Sequence, residues 1–384
     1  MSAPFDCDVI VWGLGGMGSA AAWRAAAAGA RVMGFEQYGP AHDRGSSHGE
    51  TRIIRKAYFE HPDYVPLLEE AYRLWRELET GLSKPLFHPV GLFLAGPPES
   101  EAVQGTLAAG REYQLPLARL TASQARHRFP GFRFDDAFEV VWEQQAGYLE
   151  VERCVLAQLD RARSLGADLR FQTPLIGWQA DEHGVRVETA DGVVRARSLI
   201  LTAGPWSGPL VPGLTVRRKP VFWFPAPTEL RQSRGAGTFF FDLPEGQFYG
   251  FPSRDLSGTA APTFKAAEHS GGEVVNDPAQ LDRALQPADL AKMEAFLRKH
   301  IPGTRPIPTA HSVCLYTMTI DHHFIIDRHP DHPAVVVGAG FSGHGFKFAP
   351  VVGQALAELA LREASSLPIG FLGWNRPARR AVAG

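Results

Sequence analysis

A glycine motif near the N-terminus restricts the fold of this chain. The apolar run at residues 7–12 (CDVIVW) leads directly into GLGGMG, and the Ala-rich residues that follow have high helix propensity. Gly13, Gly15 and Gly18 fit the GxGxxG pattern, in which backbone approaches a pyrophosphate at a helix N-terminus. Residues 30–35 (ARVMGF) predict the next strand. The pattern therefore predicts a dinucleotide-binding strand–helix–strand unit.

The acidic residue Glu36 follows the second predicted strand. A carboxylate at this place accepts hydrogen bonds from ribose hydroxyls and repels a 2′-phosphate. Glycines alone would also fit a tight turn that binds nothing, but the two strands, the helix and the terminal acid together favour a bound dinucleotide. The motif does not distinguish NAD from FAD.

Length and composition indicate a globular protein with more than one domain. The chain has 384 residues, of which 45% are hydrophobic and 21% charged, so it can form a packed core, and its length favours two domains or a dinucleotide fold with an insertion. A formal charge of −2 provides no basic surface for a phosphate backbone or an anionic membrane. We therefore expect no nucleic-acid partner.

The cysteines and the N-terminus favour a cytoplasmic protein. Cys7, Cys154 and Cys314 are few and widely spaced, which fits neither a disulfide framework nor a structural zinc site. Residues 1–6 (MSAPFD) lack the basic region of a signal peptide. No apolar stretch reaches the roughly 18 residues that a membrane span needs. We expect no membrane partner.

The remaining chain predicts a mixed α/β fold that is interrupted and then resumed. Residues 151–165 predict a helix and 166–171 a strand, and alternating apolar residues at 184–201 predict a hairpin. The aromatic and proline-rich stretch 216–310 predicts a second, sheet-rich domain. A buried strand, a glycine turn and a helix at 334–362 indicate that the chain returns to the first domain.

Four separated sequence blocks resemble one known family. They are residues 45–58 (GSSHGETRIIRKAY), 314–319 (CLYTMT), 323–327 (HFIID) and 340–347 (GFSGHGFK). Together with the glycine motif, they resemble the signature blocks of the monomeric sarcosine oxidase family, which includes N-methyltryptophan oxidase and pipecolate oxidase. The resemblance spans nearly the whole chain and makes FAD the expected cofactor.

The resemblance implies an α/β fold, α+β overall, with a Rossmann-like FAD-binding domain and an inserted, mostly antiparallel β-sheet substrate domain. It assigns residues 1–86, 148–215 and 318–384 to the discontinuous FAD-binding domain. Residues 87–147 and 216–317 then form the substrate domain. The family also makes a monomer the expected state.

On the cofactor side, the resemblance implies that FAD is bound covalently through a thioether to Cys314. It places Arg52 and His48 beside the flavin ring, where positive charge stabilises the anionic reduced flavin. It assigns Gly343 and Gly345 to the turn before a helix whose N-terminus faces the same ring.

On the substrate side, the resemblance makes Arg55 and Lys347 the cations that bind a substrate carboxylate, the arginine by two parallel hydrogen bonds. Lys265 corresponds to the lysine that activates oxygen, and His269 to a histidine that contacts the substrate. Three further side chains fall at active-site positions of the family: Tyr249, Tyr316 and Glu60.

The implied reaction is hydride transfer from a C–H beside the substrate nitrogen to flavin. The resulting imine hydrolyses, to glycine and formaldehyde in the case of sarcosine, and O2 is reduced to hydrogen peroxide. Three alternatives stay open: an oxidase of a bulkier or cyclic amine such as N-methyltryptophan, pipecolate or proline, an amine dehydrogenase that uses a protein electron acceptor, and a flavin-binding or NAD-binding protein without activity.

Two further patterns have structural explanations. The aromatic runs 222–224 (FWF) and 239–241 (FFF) could line a wide pocket, but core strands are the favoured interpretation. Histidines cluster toward the C-terminus without the spacing of a known metal site, so we expect no metal. These histidines are His311, His322, His323, His329 and His332.

Overall fold

The computed structural model describes residues 5–254, 261–362 and 364–380, so residues 1–4 of the predicted N-terminal segment lie outside the described part. Its strands are β1 (Cys7–Trp12), β2 (Val32–Phe35), β3 (Thr51–Ile54), β4 (Phe87–His88), β5 (Leu92–Gly96), β6 (Leu117–Thr121), β7 (Glu139–Glu143), β8 (Gly147–Glu150), β9 (Asp168–Arg170), β10 (Leu175–Asp181), β11 (Gly184–Thr189), β12 (Gly192–Leu201), β13 (Thr215–Pro225), β14 (Thr238–Leu243), β15 (Gly246–Phe251), β16 (Thr263–Glu268), β17 (Glu273–Val274), β18 (Ala310–Met318), β19 (Ile325–Arg328) and β20 (Val335–Ala339). Its helices are α1 (Gly16–Ala27), α2 (Tyr64–Glu79), α3 (Glu101–Glu112), α4 (Ala122–Arg128), α5 (Val151–Ser164), α6 (Pro287–His300), α7 (Ala349–Leu361) and α8 (Pro377–Arg380).

The first sheet contains the predicted strand–helix–strand unit. Its strand order is β10-β11-β12-β1-β2-β9, with β20 beside β12 and β19 beside β20. Strands β9, β2, β1, β12 and β20 pair in parallel, whereas β11 and β12 form the predicted antiparallel hairpin. Helix α1 packs closely on α7. A Cβ added to Gly353 would lie only 2.5 Å from the backbone carbonyl carbon of Ala20, so the contact needs a glycine there. Small residues thus allow two helices to cover this sheet together.

The second sheet is mostly antiparallel. It has the order β17-β13-β16-β15-β14-β5-β7-β6, with β18 beside β13, and only the pair β5 and β14 runs parallel within this described sheet. A third, three-stranded sheet has the order β3-β8-β4. The predicted α/β class with an inserted antiparallel sheet is therefore confirmed. The residue boundaries of the two domains stay a prediction.

The aromatic runs alternate across their strands. Phe222 and Phe224 of β13, and Phe239 and Phe241 of β14, are buried in one hydrophobic core between the second sheet and helix α6. Because successive strand residues point to opposite faces of the sheet, the middle residue of each run points away from this core. The core interpretation is thus confirmed for these four residues.

The helix that follows the C-terminal glycine turn begins later than expected. Helix α7 begins at Ala349, and residues 346–348 form a separate 3-10 turn, since Pro350 suits the first helical turn, where its missing N–H would have no partner. Lys347 therefore lies in the turn that precedes the helix. No helix in the described ranges is long and apolar enough to cross a membrane.

Candidate active site

A cavity of about 350 Å³ is lined by residues from all three sheets. It extends from the glycine turn after β1, past the loop before β3, to β18 and the loop before α7. Most of the predicted site residues line it: Gly13, Gly15, Glu36, Arg52, Arg55, Glu60, Tyr249, His269, Tyr316, Gly343, Gly345 and Lys347. The remaining ones are Gly18 in α1 and three buried side chains that contact the wall or lie beside it, His48, Lys265 and Cys314.

The glycines of the N-terminal motif have different roles. Gly13 has a φ of +87°, and a Cβ on it would lie 2.6 Å from the carbonyl oxygen of Thr202. A Cβ on Gly18 would lie 1.7 Å from the carbonyl oxygen of Gly13. At Gly15, no atom lies within 4 Å of the corresponding position. The fold itself therefore needs Gly13 and Gly18, whereas Gly15 leaves its space open toward the cavity.

Glu36 connects the glycine turn to the end of β2. Its buried carboxylate accepts a hydrogen bond from the backbone N–H of Leu14 at 2.9 Å and another from that of Tyr38 at 3.1 Å. His42 Nε2 lies 3.3 Å from the same carboxylate. A carboxylate has about four acceptor positions, so Glu36 can also accept bonds from a ligand in the cavity.

Arg52, His48 and Cys314 form a buried cluster. Arg52 Nη2 lies 3.2 Å from the Cys314 sulfur, and His48 Nδ1 lies 3.9 Å from it. Burial alone would raise the pKa of the Cys314 thiol, but the neighbouring Arg52, His48 and Lys265 lower that pKa to about 6. These neighbours therefore favour the thiolate form of Cys314.

Lys265 lies beside this cluster and is also buried. Its ammonium donates hydrogen bonds to the carbonyl oxygens of Gly49 and Thr51, the latter at 2.9 Å. Arg52 donates to the same Thr51 oxygen at 2.9 Å. Burial and the neighbouring Arg52 lower the pKa of Lys265 to about 7. Two cations are thus held next to each other by one stretch of backbone.

A second pair of cations lies in the cavity wall. Arg55 forms a 2.6 Å ion pair with Glu60, and it also donates to the carbonyl oxygen of Ala57. Lys347 donates to the carbonyl oxygen of His344 at 2.7 Å. Burial and Arg55 lower the pKa of Lys347 to about 7. Burial opposes ionisation of Glu60, but Arg55, His344 and Lys347 lower the pKa of its carboxyl to about 2.

His269, Tyr249 and Tyr316 form the polar wall of the second sheet. The hydroxyl of Tyr316 lies 3.4 Å from His269 Nδ1, and the Tyr249 ring lies 6.2 Å from that of His269. Burial and the cation of Lys219 lower the pKa of His269 to about 3. Lys219 itself donates to the carbonyl oxygen of Ser270 at 2.7 Å. The imidazole of His269 that lines the cavity is therefore neutral. The bond from Lys219 to Ser270 fixes the turn that carries this ring.

The loop before α7 needs its glycines. Gly343 has a φ of +81°, and a Cβ on it would lie 2.3 Å from the Tyr316 ring. A Cβ on Gly345 would lie 2.6 Å from the Phe341 side chain. The loop therefore packs against β18 through glycine, and backbone lines the cavity at this point.

Comparison with known proteins decides the family. The sequence profile of the family described as FAD dependent oxidoreductase matches residues 8–359. The chain belongs to the FAD-dependent oxidoreductase family. Monomeric sarcosine oxidase of Streptomyces avermitilis is 39% identical to the oxidoreductase over 98% of both chains. N-methyl-L-tryptophan oxidase of Salmonella typhimurium is 34% identical over 94% of this chain and 96% of its own. The predicted resemblance is confirmed.

Solved structures support the same fold. A point variant of NikD, described as an unusual amino acid oxidase essential for nikkomycin biosynthesis, has a TM-score of 0.84 at 25% identity, covering 96% of this chain and 97% of NikD. L-proline dehydrogenase from P. horikoshii has a TM-score of 0.81 at 18% identity, covering 98% and 99%. The family match and the relatives at 34–39% identity, rather than these structures, make the oxidoreductase an FAD-dependent enzyme of the sarcosine oxidase and N-methyltryptophan oxidase type.

The residues of the oxidoreductase fit FAD. The open side of Gly15 suits the pyrophosphate, Glu36 suits ribose, and the Arg52 side chain extends to the cavity wall farther along. His48 Nε2 is buried and has no hydrogen-bond partner among the described residues, and a buried polar atom normally has one. We expect a flavin carbonyl or a bound water to satisfy it.

The structure also brings in residues that the sequence analysis did not single out. Glu143 of β7 accepts hydrogen bonds from the backbone N–H groups of Lys56 and Ala57, at 2.7 and 3.1 Å. Glu152 of α5 accepts from Gly49 at 2.6 Å. These carboxylates hold the segment that carries the cations, although they lie about 90 to 100 residues away in sequence. No local motif signals such distant contacts.

Replacing Gly15 by alanine is expected to lower the FAD content per chain while the thermal stability of the apoprotein stays close to wild type. The added methyl group meets no protein atom, but it occupies the space that a pyrophosphate needs. Absorbance ratios and thermal unfolding of both forms measure the effect. Gly177→Ala in β10 is the matched control, since its position is also open and lies outside the cavity. Equal flavin content in both variants would contradict the assignment of the space beside Gly15 to the pyrophosphate.

Proposed function

We propose that the oxidoreductase oxidises a secondary-amine amino acid of the N-methyl type, with sarcosine as the simplest substrate. Bound FAD would supply the acceptor for a hydride from the carbon beside the substrate nitrogen, and O2 would be the final electron acceptor. The imine product hydrolyses, to glycine and formaldehyde in the case of sarcosine, and hydrogen peroxide is released. The relatives that are named sarcosine oxidase and N-methyl-L-tryptophan oxidase support this class of substrate.

The observation that carries the proposal is the pair of buried cations at the substrate end of the cavity. Arg55 and Lys347 both line it and are almost inaccessible to solvent. A guanidinium has five N–H donors, so Arg55 can donate hydrogen bonds to Glu60 and to a substrate carboxylate at the same time. Buried cations are costly unless they are paired, so a site of this kind is suited to a carboxylate ligand.

We further propose that the cofactor is attached to Cys314 through a thioether. The thiolate character of Cys314, with its pKa lowered to about 6 by Arg52, His48 and Lys265 against the effect of burial, supports this assignment. Arg52 and Lys265 would supply positive charge beside the cofactor, where negative charge develops on the reduced flavin and on O2 as it accepts electrons. His269 is neutral, and its ring and the Tyr316 hydroxyl can orient the amine.

A bulkier amine is the second candidate substrate. Phe240, the middle residue of its aromatic run, lines the cavity together with Phe59 and Leu92, and its ring lies 5.5 Å from that of Phe59 and 6.0 Å from that of His269. An apolar wall of this kind can bind the side chain of N-methyltryptophan or the ring of pipecolate.

An anaerobic absorbance titration tests the proposal. The holoenzyme is mixed with sarcosine, N-methyltryptophan, pipecolate or proline without oxygen. Bleaching of the flavin band by sarcosine supports the first candidate, and bleaching by the larger amines alone supports the second. A bound flavin that none of the four reduces would rule out the proposed substrate class.

Replacing Arg55 by alanine is expected to weaken binding of carboxylate substrates about tenfold to a hundredfold, because hydrogen bonds to charged groups contribute about 1.5 to 3 kcal/mol each. The measurement is the Kd of a carboxylate ligand from its perturbation of the flavin spectrum. Arg73→Ala is the matched control, since Arg73 is also ion-paired but lies on the exposed face of α2. An unchanged Kd in the Arg55 variant would exclude this residue from the carboxylate site.

We also propose that the oxidoreductase is a cytoplasmic monomer. Cys7, Cys154 and Cys314 are buried and unpaired, which supports a reducing compartment such as the cytoplasm. We propose a monomer on the basis of family resemblance. Sedimentation of the holoenzyme at several concentrations tests it, and a stable dimer would contradict it.

A further inference from the structure

Tyr58 is a fully buried residue that contacts both cations of the proposed carboxylate site. The guanidinium carbon of Arg55 lies 4.2 Å from the centroid of the Tyr58 ring. The Lys347 ammonium lies 5.0 Å from the same centroid and 3.3 Å from the phenol oxygen. Tyr58 does not line the cavity, so it lies behind the two cations that do.

The hydrogen bonds around Tyr58 have a defined direction. His344 Nε2 lies 3.0 Å from the carbonyl oxygen of His322, which can only accept, so this nitrogen carries the proton. Burial lowers the pKa of His344 to about 3, so the ring is neutral and its Nδ1 is an acceptor. The Tyr58 hydroxyl lies 2.6 Å from Nδ1 and 3.3 Å from the His344 carbonyl oxygen, so its main hydrogen bond is the shorter one to Nδ1. The phenol oxygen then presents its lone pairs to the Lys347 ammonium.

We propose that Tyr58 is a positioning residue that holds Arg55 and Lys347 together as one carboxylate site. Two like charges in a buried wall repel each other. The ring offsets the charge of Arg55 through its negative face, and the oriented phenol oxygen accepts a hydrogen bond from Lys347. The inference rests on the proposed function, because it assumes that these cations bind the substrate carboxylate.

Charged and titratable groups around Lys347 define the expected pH dependence. They are Arg55, Glu60, Tyr58 and His344. Burial and Arg55 lower the pKa of Lys347 to about 7. Carboxylate binding should therefore be strongest below this pH and weaken as pH rises through it, because the ammonium loses its charge. Loss of the phenol oxygen should lower the pKa further and move this weakening to lower pH.

The test compares propionate with the neutral, similarly shaped propionamide. Isothermal titration of the oxidised holoenzyme gives the Kd of each ligand between pH 6 and 9. Tyr58→Phe is expected to weaken propionate binding about threefold to tenfold, to leave propionamide unchanged, and to move the pH midpoint downward. Tyr64→Phe is the matched control: it removes a buried hydroxyl from a ring 5.0 Å away, and it should bind both ligands like wild type.

Two outcomes separate this inference from the proposed function. If wild type prefers propionate, and Lys347→Gln abolishes that preference, but Tyr58→Phe behaves like Tyr64→Phe, the positioning role is wrong and the carboxylate site stands. If wild type does not prefer propionate, the carboxylate site itself is wrong and the role of Tyr58 is wrong with it.

A second variant covers the case in which Tyr58→Phe does not yield folded holoenzyme. His344→Phe removes the acceptor of the Tyr58 proton and leaves the Tyr58 ring in place. The hydroxyl then keeps only the backbone carbonyl oxygen of residue 344, 3.3 Å away, as an acceptor. Its direction is less fixed, so the pH midpoint for propionate should move downward in this variant too. An unchanged midpoint in folded His344→Phe would overturn the inference.

Discussion

The Cys314→Ala variant is expected to bind FAD that acid releases completely, whereas wild type retains its flavin after denaturation. The thiolate of Cys314, kept ionised near neutral pH by Arg52, His48 and Lys265, is the proposed attachment point, and alanine cannot form the bond. Acid precipitation followed by absorbance spectra of pellet and supernatant measures the effect. A yellow pellet from the variant would show that another residue holds the flavin.

Cys154→Ala is the matched control for this experiment. Cys154 is equally buried, but it lies in α5 among apolar neighbours, and burial raises the pKa of its thiol well above the ordinary value. Its replacement should leave the covalent flavin intact. Two buried cysteines of opposite pKa shift thus distinguish a reactive thiolate from a structural thiol.

The Lys265→Met variant is expected to slow reoxidation of the reduced enzyme by O2 about a hundredfold or more, because a fixed charge that stabilises developing negative charge contributes about that factor. Reduction by substrate under anaerobic conditions should change far less. Stopped-flow absorbance separates the two half-reactions. Lys292→Met is the control, since Lys292 is exposed and ion-paired with Glu268. If the reduced variant is reoxidised by O2 at the wild-type rate, Lys265 has no role in the reaction with oxygen.

The pH dependence of the same step provides a second check. Lys265 is charged below its pKa, which burial and Arg52 lower to about 7. The wild-type rate of reoxidation should therefore fall as pH rises through the pKa of Lys265, and this dependence should be absent in Lys265→Met. Measured peroxide at one equivalent per turnover would also distinguish the oxidase from a dehydrogenase that reduces a partner protein.

Local patterns were sufficient for the nucleotide-binding part of the fold. The glycine motif begins directly after β1 and continues into the first turn of α1, and the tight contacts of Gly13 and Gly18 follow from the turn that this spacing requires. The hairpin of β11 and β12 also follows from its period-two alternation. Such elements depend on neighbours within a few residues, so sequence periodicity predicts them well.

The tail was predicted less well. Residues from Gly373 onward are rich in proline, arginine and alanine, a composition that predicts a loosely held segment. In the structure, Arg376 forms a 2.6 Å ion pair with Asp321, and both side chains are largely buried. Trp374 also donates its backbone N–H to Asp327. Composition indicated flexibility here, but Arg376 binds Asp321, about fifty residues away in sequence, and this contact holds the segment in place. Residues 381–384 of this segment lie outside the described residues.

The sequence blocks alone identified the family and the cations, but the folded chain decided how these residues work together. Arg52 and Cys314 are 262 positions apart, and Tyr58 and Lys347 are 289 apart. The sequence analysis favoured core strands over a wide pocket for the aromatic runs, whereas the pairing of β14 with β5 and β15 places Phe239 and Phe241 in the core and Phe240 at the cavity. The physical reason is that pKa shifts, burial and hydrogen-bond direction depend on what surrounds a group in space, and distant segments supply those surroundings here.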